Sequence, residues 1–400
     1  MRIAMISEHA NPLAALGEVD AGGQNVHVAE LSAAMVRAGH EVTVYTRRDD
    51  ERHPEVVDTP RGYRVVHVPA GPARHLPKDE LLPHMRRFTR FLQRRWRDDP
   101  PDVVHSHFWM SGLAAVFAGR TARVPVVHTY HALGTVKRRH QGEADTSPAD
   151  RIAYERLVGR SSTRIVATCA DEVAELARMG VTGPQVTVVP CGVDCGQFRP
   201  DGERLPTGLP YRVVAVGRLV PRKGFAELVA ALAHCPDTEL VIAGGPDHTR
   251  LANDPEARRL RMLAERSGVA DRVRLTGQVS RDRMPGLLRS ADVVACVPWY
   301  EPFGIVPLEA MACGVPVLAT AVGGLTDTVA EGVTGDLVPP RNADVLAVKL
   351  RELLADPVKR KSYGAAGRAR VESRYAWDRI AEDTVRVYAQ CGDRALVGAR

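Results

Sequence analysis

Two glutamates eight residues apart, Glu301 and Glu309, lie in the segment of this sequence that carries the most chemical information. The segment follows an apolar run, Asp292 to Val297, and leads through a loop into a second apolar stretch. This order predicts a strand, a loop and a helix, so the two carboxylates would meet different parts of one elongated ligand beyond the end of the strand. Taken alone, the pair is better explained as a helix-dipole partner and a solvated helix residue.

The start of the predicted helix is suited to bind an anion. Pro307 fits the first helical position, which would leave the amides of Gly304, Ile305 and Val306 without helical partners. Free amides at a helix N-terminus bind phosphate, and a glycine lets the backbone come close to such a ligand. The loop therefore predicts a site for an anion or a sugar hydroxyl.

A basic loop elsewhere in the same half of the chain strengthens this interpretation. Gly217 to Gly224 follows the apolar run Val213 to Val216, so Arg218 and Lys223 would emerge at the carboxyl end of a strand. Guanidinium and ammonium groups complement a diphosphate, although a solvated basic turn explains them equally well when they are taken alone. No Gly-x-Gly-x-x-Gly or Gly-x-x-x-x-Gly-Lys motif is present, which argues against dinucleotide and P-loop binding.

Histidines and cations mark the first half. His105 and His107 share one face of a predicted strand, and His128 and His131 lie near the end of the next. No His-Glu-x-x-His or acid-rich motif accompanies them, and strand histidines are more often packed or hydrogen-bonded, so no metal is expected. Cations in loops or at helix starts, most of them expected to be solvated, can hold an acceptor phosphate; they are Lys78, Lys137, Arg138, Arg139 and Arg151.

The pattern of predicted strands indicates a fold in which the ends of neighbouring strands lie close together. Short β-branched runs alternate with amphipathic segments up to about residue 190, and most are apolar on both faces, which is typical of parallel strands covered by helices. The pattern restarts near residue 212, after the aperiodic stretch Asp194 to Leu209. We expect an α/β protein with two doubly wound, Rossmann-like domains, residues 1–194 and 195–375. The helical segment 376–400 is expected to pack on a domain already built, and the first domain is one option.

Length and composition agree with two sizeable globular domains. The 400 residues include 44% hydrophobic residues and seven cysteines without a Cys-x-x-Cys pair, so reduced thiols are expected. No secretion signal and no membrane-spanning run is apparent, which favours a cytoplasmic protein. The net charge of +6 attracts phosphorylated ligands, whereas 5% aromatic residues are few for stacking on nucleic acid, which is not expected as a partner.

Together these features resemble the retaining nucleotide-sugar glycosyltransferases of family 4, which have the two-domain GT-B fold. The distinctive pieces are Gly22-Gly23-Gln24-Asn25, Gly217-Arg218 with Lys223-Gly224, and the Glu-x7-Glu element from Glu301 to Glu309. Their order and spacing match over almost the whole chain. The resemblance implies two domains that face each other across a cleft, a sugar-nucleotide donor, and no cofactor.

The resemblance also implies roles for single residues. Arg218 and Lys223 would grip the donor diphosphate, Glu309 would bind the ribose, and Glu301 would bind the donor sugar. His131 matches the family's histidine near the anomeric centre. The other donor-binding residues implied are Gly23, which would approach the phosphate from the first domain, Gln278 and Val279 beside the nucleobase, and Phe303, Gly304 and Ile305 at the sugar.

Within the family, the sequence is most similar to the bacterial enzymes that put N-acetylglucosamine on inositol phosphate, and more distantly to sucrose-phosphate synthases. Asn25, Lys78 and Arg151 fall where the former handle their acceptor. Phe108 and Ala132 stand where their pattern has Tyr and Thr. Each lost hydroxyl removes a bond to a charged group worth about 1.5 to 3 kcal/mol. Inositol phosphate is therefore not assumed to be the acceptor.

We expect a retaining, metal-independent transfer of glucose or N-acetylglucosamine from a UDP-sugar to a hydroxyl of a small polar acceptor, with release of UDP. Positive groups would stabilise the leaving phosphate, which would itself take the acceptor proton. A sugar-nucleotide epimerase of similar fold and a non-catalytic nucleotide-sugar-binding protein are the alternatives. A homodimer is compatible with the sequence.

Overall fold

The structure is a computed structural model of the chain, and it describes residues 1–14 and 22–395. Contacts divide the chain into two compact units, Met1–Cys191 together with the residues from Trp377 onward, and Gly192–Ala376. The expected boundaries, 194/195 and 375/376, lie within about three residues of these positions. Residues 396–400 of the expected C-terminal segment lie outside the described residues.

The first unit is a parallel sheet covered by helices. Among the described residues, its strand order is β3-β4-β2-β1-β5-β6-β7-β8, and β3 is an antiparallel edge strand that the sequence pattern did not predict. The strands are β1 (Arg2–Ile6), β2 (Glu41–Arg47), β3 (Val56–Asp58), β4 (Arg64–Val68), β5 (Val103–His107), β6 (Val126–Thr129), β7 (Arg164–Ala167) and β8 (Val186–Val188). The helices are α1 (Gly23–Arg37), α2 (Met85–Asp98), α3 (Trp109–Ala122), α4 (Gly134–Gln141), α5 (Arg151–Ser161) and α6 (Ala170–Arg178).

Strand register in the first unit brings three loops to one edge of the sheet. Ile6, at the end of β1, pairs with Tyr45 of β2 and Ser106 of β5, and His107 pairs with Thr129 of β6. The loops after β1, β5 and β6 therefore start at the same level. The order reverses between β1 and β5, and such a switch point is where ligands bind in doubly wound sheets.

The second unit repeats this plan. In the described part of the chain its sheet has the order β11-β10-β9-β12-β13-β14, with parallel pairing throughout. The strands are β9 (Tyr211–Val216), β10 (Thr238–Ala243), β11 (Val273–Gly277), β12 (Val293–Cys296), β13 (Val317–Thr320) and β14 (Gly335–Val338). The helices are α7 (Phe225–Leu232), α8 (Pro255–Arg266), α9 (Met284–Arg289), α10 (Ile305–Ala312), α11 (Leu325–Thr328), α12 (Ala343–Ala355) and α13 (Pro357–Arg374). Its switch point lies between β9 and β12.

Helix α14 (Trp377–Ala395) completes the first unit, in agreement with the expected return of the C-terminal helix. Trp377, Ile380 and Tyr388 are buried in the same apolar core as Leu31 and Met35 of α1. Replacing a buried aromatic side chain of this size by alanine typically lowers the free energy of unfolding by about 3 to 5 kcal/mol. No helix of the described ranges is both long and apolar enough to cross a membrane.

Candidate active site

The loops that follow β9 and β12 lie side by side, because these parallel strands are neighbours in the sheet. The amide of Trp299, after β12, donates to the carbonyl oxygen of Arg222, after β9, at 2.8 Å. Gly224 has a φ of +71°, and a Cβ at this position would lie 2.0 Å from the carbonyl oxygen of Val297. Only glycine allows this approach, so the basic loop is held against the loop that carries Glu301.

Three cations act on the carboxylate of Glu301. The ammonium of Lys223 forms an ion pair with Glu301 Oε2. Burial alone would raise the pKa of Glu301, but the charges of Lys223, Arg222 and Arg218 hold it below its usual value. One carboxylate does not neutralise three cations, so the loop keeps an excess of positive charge of the kind that binds a diphosphate.

Helix α10 follows directly from the same loop and offers free amides. Gly304 is its N-cap residue, with a φ of +86°. In the described part of the chain, the amides of Gly304, Ile305 and Val306 donate to no protein acceptor. They remain available to an anion, as amides at a helix N-terminus are in general.

The predicted position of Pro307 is wrong by two residues. The helix begins at Ile305, which makes Pro307 its third residue. Amides throughout the first helical turn have no intrahelical acceptor, so a proline costs no hydrogen bond anywhere in that turn. Its presence therefore located the start of the helix only to within one turn.

Glu309 lies further along α10, and its side chain is buried. Arg281 Nη1 donates to Glu309 Oε1 at 2.8 Å. Burial raises the pKa of Glu309, and Arg281 opposes that rise. The half-buried Cys296 lies at the end of β12, and the charges of both Lys223 and Glu309 act on its thiol. The cationic loop and Glu309 thus lie at one end of the sheet.

The other predicted donor residues lie in the loop after β11 and in the loop after β12. Gln278 is exposed directly after β11, and its amide donates to the carbonyl oxygen of Pro246 at 3.1 Å. Val279 is half-buried in the same loop. Phe303 is buried, and a Cβ at Gly324 would lie 2.6 Å from its Cα. The packed ring leaves the backbone as the part of Phe303 that a ligand can contact.

In the first unit, His131 follows β6 with a φ of +60°, which is rare for a residue other than glycine and is often found at functional sites. Its Nε2 lies 2.9 Å from His107 Nδ1. Burial and neighbouring imidazoles hold the pKa of both rings well below the usual value. A hydrogen bond between two neutral imidazoles therefore orients His131.

Most of the predicted acceptor residues form one cluster around a buried aromatic ring. The Lys78 Nζ lies 4.8 Å from the ring centroid of Phe108, and the guanidinium carbon of Arg151 lies 5.2 Å from it. Phe108 itself is buried, with a φ of +79°. The carbonyl oxygen of Ala132 accepts a hydrogen bond from Arg151 Nη2 at 2.8 Å. The cluster therefore combines two cations with an apolar base.

The side chain of Asn25 forms hydrogen bonds with the protein backbone. Its Oδ1 accepts from the Gly22 amide at 3.1 Å, and its Nδ2 donates to the carbonyl oxygen of Asn11 at 3.0 Å. The buried side chain thus caps α1, and its predicted contact with an acceptor stays a prediction. Gly23, the first residue of α1, is exposed.

Arg151 is likewise engaged within the first unit. Its Nε donates to Glu155 Oε1 at 2.8 Å, and its Nη1 donates to Ser147 Oγ at 3.1 Å. Both members of the Arg151–Glu155 ion pair are buried. The pair fixes the loop before α4, because Glu155 also accepts from the Gly134 amide at 2.9 Å.

Comparisons with known proteins identify the family. Residues 21–197 match the model described as Glycosyltransferase Family 4, and residues 204–370 match the model described as Glycosyl transferases group 1. The chain belongs to this family of glycosyltransferases. Its activity is therefore that of a glycosyltransferase enzyme, in agreement with the sequence prediction.

Relatives of this glycosyltransferase cover it almost completely. It is 39% identical to the D-inositol 3-phosphate glycosyltransferase of Xylanimonas cellulosilytica, over 98% of this chain and 97% of that protein. It is 38% identical to the protein of the same name from Streptomyces bingchenggensis, over 97% of this chain and 89% of that protein.

Solved structures confirm the two-domain GT-B fold. Sucrose-phosphate synthase from Thermosynechococcus elongatus matches with a TM-score of 0.90 and 33% identity, over 98% of this chain and 100% of that chain. The Anabaena protein HepE, solved in complex with UDP and glucose, matches with a TM-score of 0.73 and 19% identity, over 98% of this chain and 100% of that chain. The second likeness concerns the fold alone.

Two residues of the glycosyltransferase that sequence reasoning missed join its site regions. His27 comes from α1, and its ring lies edge-on to that of His131, with centroids 4.9 Å apart. Arg281 joins Glu309 as described above. Neither has a motif that would single it out, because each meets its partner only through the tertiary fold.

The histidine cluster differs from the predicted one and could hold a metal only after movement. His128 Nδ1 lies 2.8 Å from Ser106 Oγ. The third histidine beside His107 and His131 is His27, in place of His128. The ligand nitrogens of these three spread over up to 4.8 Å. Two nitrogens on one zinc ion can be at most about 4.2 Å apart, twice the bond length, and His107 and His131 already bond to each other.

Proposed function

We propose that this glycosyltransferase moves glucose or N-acetylglucosamine from a UDP-sugar to a hydroxyl of a small polar acceptor, with retention at the anomeric carbon and without a metal. The observation that carries the proposal is the cationic loop at the switch point of the second unit. Lys223 pairs with the carboxylate of Glu301, the charges of Arg222 and Arg218 act on it as well, and α10 begins in the same loop with free amides. This excess of positive charge matches the two phosphates of a nucleotide sugar.

In the proposed reaction, the bond between the anomeric carbon and the β-phosphate oxygen breaks, and the acceptor oxygen forms a bond to the same carbon. The acceptor proton passes to the leaving phosphate on the same face of the sugar. Arg218, Lys223 and the amides at the start of α10 stabilise the negative charge that grows on the phosphate. No protein carboxylate has to act as the nucleophile.

The remaining donor contacts in the proposal are those that the family resemblance implies. Glu309 accepts hydrogen bonds from the ribose hydroxyls, and Glu301 binds hydroxyls of the donor sugar together with the backbone of Phe303 and Gly304. Gln278 and Val279 lie beside the nucleobase. The names of the relatives support sugar transfer in general, since they include inositol phosphate glycosyltransferases and a sucrose-phosphate synthase.

On the acceptor side, we propose that His131 positions the reacting hydroxyl near the anomeric carbon as a neutral imidazole. The cluster of Lys78, Phe108, Ala132 and Arg151 would hold the rest of the acceptor. The two absent hydroxyls at positions 108 and 132 leave the identity of that acceptor open to a direct assay.

The test is a matrix of donors and acceptors with product detection by mass spectrometry. UDP-glucose, UDP-N-acetylglucosamine and GDP-mannose are each incubated with cyclitols, sugars and their phosphates. We expect UDP and a new glycoside with one UDP-sugar. An isomerised sugar nucleotide, or no UDP with any acceptor, would contradict the proposal.

Replacing Lys223 by alanine tests the cationic loop. Loss of one group that stabilises the developing charge typically costs 100-fold or more in rate, and we expect a fall of about that size in kcat for the UDP-sugar. The matched control is Lys349→Ala, since Lys349 also pairs with a glutamate, at 3.0 Å, but on the surface of α12. Equal activity of both variants would show that Lys223 does not hold the diphosphate.

A further inference from the structure

Arg281, the ion-pair partner of Glu309, is itself held in place by neighbouring residues. Arg281 and Glu309 have only 21% and 7% of their side-chain surface exposed. The guanidinium of Arg281 lies over the ring of Phe198, 5.0 Å from its centroid, and the Arg281 carbonyl oxygen accepts from Gln197 Nε2 at 3.2 Å. These contacts fix the cation before any ligand arrives.

A buried carboxylate needs such a partner if it is to accept hydrogen bonds from a ligand. Removal from water favours the protonated form, in which an O–H donor takes the place of one acceptor site of the carboxylate. In Glu309, burial raises the pKa and Arg281 is the group that opposes this rise. The guanidinium therefore favours the ionised form of Glu309, in which both oxygens are full acceptors.

The other groups around Glu309 do not take over this role. Burial raises the pKa of both neighbouring thiols to about 12, so they stay neutral. Glu301 is already paired with Lys223. The elements packed against α10 carry further titratable and charged side chains, among them Cys296 on β12, Asp327 on α11, Arg289 on α9 and Arg368 on α13. Arg289 and Arg368 act on Cys313 at the end of α10.

We propose that Arg281 is a positioning residue for nucleotide recognition, which holds the carboxylate of Glu309 in place as the acceptor for the ribose hydroxyls of the donor. The inference rests on the proposed role of Glu309 in donor binding. It assigns part of the donor specificity to a residue that lies in the loop after β11 and outside the Glu-x7-Glu element.

The experiment is a calorimetric titration of UDP-glucose, or of UDP-N-acetylglucosamine if that donor binds better, between pH 5.5 and 8.5 without acceptor. In the wild type, affinity falls at the acid end as Glu309 takes up a proton. In Arg281→Met the fall begins at least one pH unit higher. Affinity in the affected range drops about tenfold per pH unit. Arg281→Lys, which keeps the charge, restores most of the wild-type profile.

Two controls separate this effect from a general loss of structure. Arg259→Met removes a similar pair on α8, where Arg259 donates to Glu256 at 2.6 and 2.7 Å, and it leaves the pH profile unchanged. In a Glu309→Gln background, which has no carboxyl to titrate, adding Arg281→Met does not move the profile. Arg281→Gln serves as a second uncharged variant should Arg281→Met fail to fold.

The outcomes are distinct. An Arg281→Met profile that superposes on that of the wild type overturns this inference and leaves the proposed transfer standing. A wild type that binds no UDP-sugar at any pH overturns the proposed function and this inference with it.

Discussion

Phe108 and Ala132 are the residues at which this glycosyltransferase lacks hydroxyl groups beside charged side chains. Lys78 and Arg151 both lie within 5.2 Å of the Phe108 ring centroid. We predict that Phe108→Tyr with Ala132→Thr raises kcat/KM for inositol phosphate at least tenfold. Each regained bond to a charged group is worth about 1.5 to 3 kcal/mol, and about 1.4 kcal/mol is a factor of ten.

The assay compares inositol phosphate with unphosphorylated inositol. The control Phe117→Tyr changes an exposed ring on α3 and should alter neither rate. If the double variant raises kcat/KM equally for both acceptors, or for neither, these positions do not recognise the acceptor phosphate.

At the residue scale, chain order indicated which side chains lie close together, and their roles in the reaction stay predictions. Lys223 and Glu301 were predicted together because each follows its own strand, and the structure pairs them. Arg281 was missed because its partner lies 28 residues away, beyond α9 and β12, and no motif links the two positions. His27 was missed because it sits within an ordinary helical stretch.

At the scale of elements, the start of α10 depends on a backbone conformation that only glycine adopts easily. Gly304 has a φ of +86°, and a Cβ there would lie 2.7 Å from Leu325 Cδ2. We predict that Gly304→Ala lowers kcat/KM for the UDP-sugar at least tenfold and lowers the free energy of unfolding by about 1 to 2 kcal/mol. Steady-state kinetics and urea unfolding measure the two effects.

Gly332 offers a matched control for Gly304. It has a φ of +70° but no atom within 4 Å of a built Cβ. Gly332→Ala should therefore lose stability through backbone strain while keeping donor kinetics. If both variants keep wild-type kinetics, the amides at the start of α10 do not contact the donor.

Parallel strand order explains why the elements around the sites were predictable. Strands apolar on both faces have to be covered by helices, and their carboxyl ends then share one edge of the sheet. The antiparallel strand β3 escaped prediction because it is three residues long, Val56–Asp58, and none of them is buried. Element boundaries such as the start of α10 depend on a single turn, which local sequence does not specify.

At the scale of the whole molecule, the C-terminal helix ties the end of the chain to the histidine cluster of the first unit. Tyr388 Oη lies 2.7 Å from His105 Nδ1, and the ring of Trp377 packs edge-on against His27. The periodicity of the sequence predicted this helix and showed that its apolar face has to pack against another part of the protein. It did not show which domain the helix packs on, because that depends on the tertiary fold.

The buried histidines make the first unit sensitive to acid. Burial lowers the pKa of His27 to about 4 and that of His128 to about 3, and it lowers the pKa of His105, His107 and His131 well below the usual value. An unfolded histidine takes up a proton near pH 6.5, whereas these folded ones do not. Stability is therefore complete above pH 6.5 and is lost as the pH falls from there towards the folded pKa.

We predict that the free energy of unfolding of the first unit falls by about 1.6 kcal/mol per buried histidine between pH 6.5 and pH 5, because the unfolded histidine goes from half to almost fully protonated over this range. Urea unfolding followed by tryptophan fluorescence reports mainly on this unit, because it contains three of the four tryptophans, Trp96, Trp109 and Trp377. His27→Phe should reduce the pH-dependent change in the free energy of unfolding by the contribution of one histidine. An unchanged midpoint at pH 7.5 and pH 5 would mean that the folded chain binds as many protons as the unfolded one, which contradicts neutral imidazoles around His131.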